Sequence, residues 1–133
     1  MTYWLFKQEP FTYSYSQLEK DGKTVWDGVA NNLALKHLRT VRKGDRAIFY
    51  HTGEEKQAVG IMEITSDAYP DPKDKSLVVV DVKPAGRLGR PVTLGQIKAD
   101  PVFSGWELVR ISRLSVMPVP EKLWYRIMKM SGK

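Results

Sequence analysis

The stretch VWDGVANNLALKHLRTVRKGDRAIFYHTG, Val25–Gly53, holds a turn, a helix and a strand in one run of chain. Asp27-Gly28 is a turn dipeptide directly after Trp26. Asn31 or Asn32 is a good N-cap for the helix that follows, because a short amide can accept from the free N–H groups of a first turn. Leu35 and Leu38 share a face there, with Ala34 beside them at helical spacing. Lys36, Arg39 and Lys43 lie toward the carboxyl end, where positive charge complements the helix dipole. Lys43-Gly44-Asp45 then turns the chain into the strand Arg46–Tyr50, whose end, Tyr50-His51-Thr52, is polar and aromatic. Three elements that bring stacking and hydrogen-bonding groups to one region suggest one side of a small pocket.

Working outward, Tyr3–Phe6 is an apolar run too short for a helix and reads as a buried strand. Lys7-Gln8-Glu9-Pro10 ends it, since proline donates nothing to a ladder. Ser14 or Ser16 caps a short helix, YSQLEKDG, closed by Gly22. Gln57–Ile64 is a further strand, joined to Arg46–Tyr50 through a glycine-containing hairpin connection. Tyr69–Lys75 reads as a polar loop and Ser76–Lys83 as the clearest strand of the chain. Gly86–Pro91 reads as a loop; it lacks the spacing and the Lys-Ser end of a phosphate-binding loop. Thr93 caps a short helix over Leu94–Lys98, and Phe103–Trp106 forms an aromatic loop. A last strand runs around Ser115–Val119, and Glu121–Met130 is a helix with Leu123, Ile127 and Met130 on one face. The expectation is one α+β domain over residues 1–133: a mixed sheet of about six strands curled into a small barrel, flanked by short helices.

Composition narrows the chemistry. With no cysteine among 133 residues, disulfide frameworks, zinc ribbons and thiolate nucleophiles are excluded. Only His37 and His51 offer imidazoles, and no carboxylate cluster joins them, so neither a metal nor a cofactor is expected. No segment has the ~18 apolar residues of a membrane span, and the amino terminus does not read as a signal peptide. A cytoplasmic protein is expected. The net charge of +6 favours polyanions to a modest degree.

Four segments carry a family resemblance: YWLFKQEP at Tyr3–Pro10, WDGVANNLALKHLR at Trp26–Arg39, KGDRAIFYHT at Lys43–Thr52 and SRLSVMPV at Ser112–Val119. In this order and spacing they resemble the EVE domain, a PUA-like fold related to YTH domains. The resemblance implies a PUA-like β-barrel and a pocket for a modified base, notably a modified cytosine flipped out of DNA. Carried over, it assigns ligand binding to Lys7, Glu9, Pro10, Trp26, Asn31, Tyr50, His51, Ser112 and Arg113. The chain departs from the family pattern at Gln8, where serine is usual. It also departs at Ala30, Asn32, Leu33 and Leu35, where arginine, tyrosine, glutamine and a further arginine are common. Two positive groups suited to a phosphate backbone are therefore absent.

The chemistry of such a pocket stands on its own terms. An aromatic face stacks a base for about 1–3 kcal/mol, while amides and hydroxyls read its edge. The expected partner is nucleic acid containing a modified base, or a nucleoside-like small molecule. Each residue also has a plainer role. Trp4 and Phe6 read as core, Trp106 and Trp124 as packing, His51 as a strand-end hydrogen bonder and Arg113 as a brace for Glu9, while Trp26 stands evenly between core and site because a ring beside a glycine turn is often half exposed. A hydrolase built from His51, Ser112 and Glu9 has no Gly-x-Ser-x-Gly elbow behind it, and a protein-interaction surface is a third alternative. The reading is a non-catalytic binding module.

Overall fold

In the computed structural model, which describes residues 1–132, β1 (Tyr3–Gln8) lies inside the sheet. It pairs in parallel with β3 (Arg46–His51) and antiparallel with β7 (Val116–Pro118). The rest of the sheet is antiparallel. β3 pairs with β4 (Gln57–Ile64), β4 with β6 (Asp74–Thr93), and β6 with β2 (Thr24–Trp26). The resulting order is β2-β6-β4-β3-β1-β7, with β5 (Tyr69–Asp71) attached to β6 off this path. The mixed, curled sheet of about six strands expected from the sequence is the one that forms.

Local chemistry explains the helices around it. Ser14 caps α1 (Tyr15–Asp21) by accepting from the Gln17 N–H, and Gly22 closes it in the left-handed conformation. Asn31 caps α2 (Asn32–Leu38) through the Ala34 N–H. Thr93 and Gln96 form a reciprocal capping box at α3 (Leu94–Ala99). α5 (Glu121–Met130) buries Leu123, Trp124 and Ile127, and Trp124 stacks on Tyr3 at 4.2 Å.

Three segments differ from the expectation. Gly86–Pro91 is strand, because β6 runs on for 20 residues along β4 with register shifts opposite Ala58–Gly60 and Ile61–Met62. Such bulges bend a strand without ending its pairing. Tyr69–Asp71, within the expected polar loop, pairs with the start of β6. After Phe103 the aromatic loop passes into a short helix, α4 (Glu107–Arg110).

The core is aromatic where strand, helix and turn converge. Trp26 packs on Phe6 and Phe49, with centroids 5.3 and 5.2 Å apart. Tyr15 is fully buried; its hydroxyl donates to the Ile61 carbonyl at 2.8 Å and accepts from the Gly86 N–H at 3.1 Å. Its ring lies where a Cβ on Gly60 would stand, 2.5 Å away, so position 60 has no room for a side chain. Trp4 is also core, and its indole N–H donates to the buried Asp45 at 2.9 Å.

Candidate functional site

The end of β1 separates two clefts. Successive strand residues point to opposite faces, and here that places Lys7 and Gln8 on different cleft walls.

On the Gln8 side, a cleft of about 220 Å³ is bordered by Thr12, Tyr13, Thr24, Val25, Trp26 and Asp27 as well as Gln8. The turn that follows β1 shapes it: the Glu9 carbonyl accepts from the N–H groups of Thr12 and Tyr13, both at 2.9 Å. The Gln8 side-chain oxygen accepts from the Glu9 N–H at 3.0 Å, which leaves its NH₂ as the group it can offer a ligand. Asp27 is exposed at the turn after β2, so it presents an ionisable acceptor at the other side. Phe11, at the tip of the Glu9–Tyr13 turn, is 96% exposed. Trp26, which the sequence leaves evenly between core and site, is 3% exposed. It serves as core toward Phe6 and Phe49 and as a wall toward the cleft.

On the Lys7 side, a cleft of about 300 Å³ lies between the β3–β4 connection, α3 and α4. Lys7, Lys56 and Lys98 border it, with Tyr50, Thr52, Gly53 and Ser112. Leu94, Leu108 and Val109 supply an apolar wall. The Lys7 ammonium donates to the Ser112 carbonyl at 2.9 Å and lies 5.8 Å from the Tyr50 ring centre. Burial pushes the Tyr50 hydroxyl up to about 12, so it stays a neutral donor near neutral pH.

Lys7, Tyr50 and Ser112 therefore meet at one cleft, and Trp26 borders the other. Glu9 and Pro10 form the turn between them. The Glu9 carboxylate lies against Gly53, where a Cβ would approach it to 2.5 Å, and Gly53 has a φ of +72° that favours glycine. Asn31 is spent on its helix cap. Arg113 is exposed beside Ser112. His51 is buried beneath the surface: its Nε2 accepts from the Tyr15 N–H at 3.1 Å, and its Nδ1 is 2.8 Å from the Glu55 carboxylate. An Nε2 that accepts carries no proton, so Nδ1 is the donor to Glu55. Both ring nitrogens are thus committed to partners other than Ser112 or Glu9.

Several lining residues were not singled out from the sequence. Asp27 reads there as half of a turn dipeptide, and Gln8 as a departure from serine. Lys56 and Lys98 lie in a hairpin connection and a short helix with no local motif. Strand pairing and the docking of α3 against the β3–β4 connection bring them to the clefts.

Comparison with known proteins places this geometry among relatives. The model of the EVE domain family matches residues 2–130. Human thymocyte nuclear protein 1 is 37% identical over 82 residues, covering 53% of this chain and 36% of that protein. The match therefore spans little more than a third of that curated relative's length. The solution structure of a Rhodopseudomonas palustris protein superposes with a TM-score of 0.94 at 44% identity, covering 99% of this chain and 94% of the other. The crystal structure of human THYN1 protein in complex with 5-methylcytosine-containing DNA gives a TM-score of 0.92 at 24% identity, covering 100% and 99% of the two chains. At that identity the likeness is one of fold. No helix among the described residues is long and apolar enough to cross a membrane.

Proposed function

The chain belongs to the EVE domain family, and from that premise we propose that residues 1–133 act as one non-catalytic domain that binds a modified base of DNA, a modified cytosine. The cleft of Gln8, Trp26 and Asp27 receives the base. The observation that carries this is a cleft in which the Gln8 amide, the Asp27 carboxyl group and the hydroxyl residues Thr12, Tyr13 and Thr24 stand together with Trp26 along one border. Cytosine offers an amino donor beside ring and carbonyl acceptors, which suits the Asp27 carboxylate and the Gln8 NH₂. Trp26 and Val25 give a 5-methyl group an apolar neighbour. One buried methyl contributes about 0.8 kcal/mol, or roughly a fourfold preference over the unmodified base. The base has to leave its duplex stack to reach such a cleft. The complex of human THYN1 protein with 5-methylcytosine-containing DNA supports the choice of base. A cytoplasmic setting belongs to the same reading, supported by a cysteine-free composition that suits a reducing compartment.

Lys7, Tyr50, Ser112 and Arg113, assigned to the base pocket by resemblance, lie outside this cleft in the proposal. Glu9 and Pro10 shape its turn, and Asn31 and His51 hold the elements behind it. The test is titration of a duplex carrying 5-methylcytosine against its unmodified counterpart, read by fluorescence anisotropy. Tighter binding of the modified duplex is expected. Gln8→Ala and Asp27→Ala, which leave the core intact, each weaken it by about tenfold, as for loss of a hydrogen bond near 1.4 kcal/mol. Equal affinity for both duplexes, or full affinity in both variants, rejects the assignment.

A further inference from the structure

We infer that the cleft of Lys7, Lys56 and Lys98 is a second binding site, for a small organic phosphate whose anionic group meets the lysines and whose body lies on Leu94, Leu108 and Val109. The inference does not rest on base recognition, since this cleft shares no lining residue with that of Trp26.

Charge is the first argument. Three of the lining residues are lysines and none is acidic. Among the described lysines and arginines only Lys83, Arg87 and Arg126 pair with carboxylates, Glu63, Glu19 and Asp100, so what sets Lys7, Lys56 and Lys98 apart is their convergence on one concavity. Among the described residues no carboxylate pairs with Lys7, Lys56 or Lys98. Lys7 has the neutral Ser112 carbonyl and the Tyr50 ring as neighbours, which satisfy part of an ammonium with three donors. Burial lowers its pKa, the sign of a cation short of compensation. A bound anion supplies what this cluster lacks.

Backbone conformation is the second argument. Lys56 has a φ of +47° and is the one non-glycine residue with positive φ among those described. For an L-residue that conformation costs on the order of 1–2 kcal/mol. Its carbonyl accepts from the Leu94 N–H at 2.9 Å, tying the hairpin connection to the start of α3. The strained residue thus joins the lysine side of the cleft to its apolar side.

Shape selects the ligand class. A concavity of about 300 Å³ sits at the small end of ligand pockets. A duplex backbone would need the lysines but not the wall of Leu94, Leu108 and Val109. A phosphate joined to a compact apolar body uses both.

Calorimetric titration with phenyl phosphate and inorganic phosphate, alongside the methylated duplex, tests the inference. Saturable binding of phenyl phosphate is expected, with inorganic phosphate at least about tenfold weaker for lack of the apolar contact. Lys98→Gln and Lys56→Gly, the second of which also relieves the backbone, each weaken phenyl phosphate by about tenfold or more. Neither changes affinity for the duplex by as much as twofold. Absence of phenyl phosphate binding overturns the inference. So does a parallel loss of duplex affinity in both variants, which would make the lysines contacts to the DNA backbone. Base recognition can fail its own test while these results stand.

Discussion

Replacing His51 by alanine separates a structural imidazole from a ligand-binding one. The ring supplies the acceptor for the N–H of Tyr15, the first residue of α1, which is fully buried. Without it that donor is left unpaired in the interior, at about 1–3 kcal/mol. The ring also packs edge-on to Phe49 with centroids 5.4 Å apart, and losing that apolar contact adds about 1 kcal/mol. The sum is about 3 kcal/mol. For a domain of this size each kcal/mol moves Tm by about 4 °C, so His51→Ala should melt near 12 °C below the parent. Circular dichroism melts measure this directly, with Glu55→Ala as control. Because the Glu55 side chain is 43% exposed, the hydrogen bond it accepts from His51 is worth about 1 kcal/mol or less and its loss moves Tm by only a few degrees. Below its melting point, folded His51→Ala should bind methylated duplex with parental affinity. An unchanged Tm together with lost binding would refute the structural assignment and return His51 to the site.

Two further outcomes follow from packing and charge. Gly60→Ala sets a methyl group against the Tyr15 ring in a filled core; it should cost at least about 1–3 kcal/mol by urea unfolding, and a stability equal to the parent would show that α1 yields freely. The hydrogen bond from His51 holds the Glu55 carboxyl below its ordinary value, so its contribution is present above that value and is lost as pH falls through the lowered one. The Tm advantage of the parent over Glu55→Gln should therefore shrink in acid, and an advantage constant from neutral pH to pH ~3 contradicts the pairing.

Where structure is set by neighbours in sequence, the chain reads well. The capping residues Ser14, Asn31 and Thr93 stand at their helix starts, and α5 keeps the limits Glu121–Met130 given by its apolar face. Where structure is set by distant pairing, local signals mislead. Gly86–Pro91 carries two glycines and a proline, yet the bulged register with β4 holds it in a sheet. The site follows the same division. Tyr50 and Lys7 stand at the ends of strands the sequence marks and are assigned by the family resemblance, but that they lie opposite one another follows only from the parallel β1–β3 pair. Trp26 is legible as a ring beside a turn, but its burial depends on Phe6 and Phe49 from two other strands. Lys56 and Lys98 have no signal in their own segments, because the cleft between them exists only after α3 docks.

The alternation of Lys7 and Gln8 at the end of β1 has an evolutionary consequence. Two neighbouring codons write to two separate surfaces, so a substitution at either position retunes one cleft and leaves the other's chemistry intact. A one-residue deletion upstream in β1 would instead draw Lys7 into the buried place of Phe6 and Gln8 into that of Lys7, so the core and both clefts would change together. Drift by substitution is thus free to diversify each surface independently, while the length of the strand from Tyr3 to Gln8 is held in common by both.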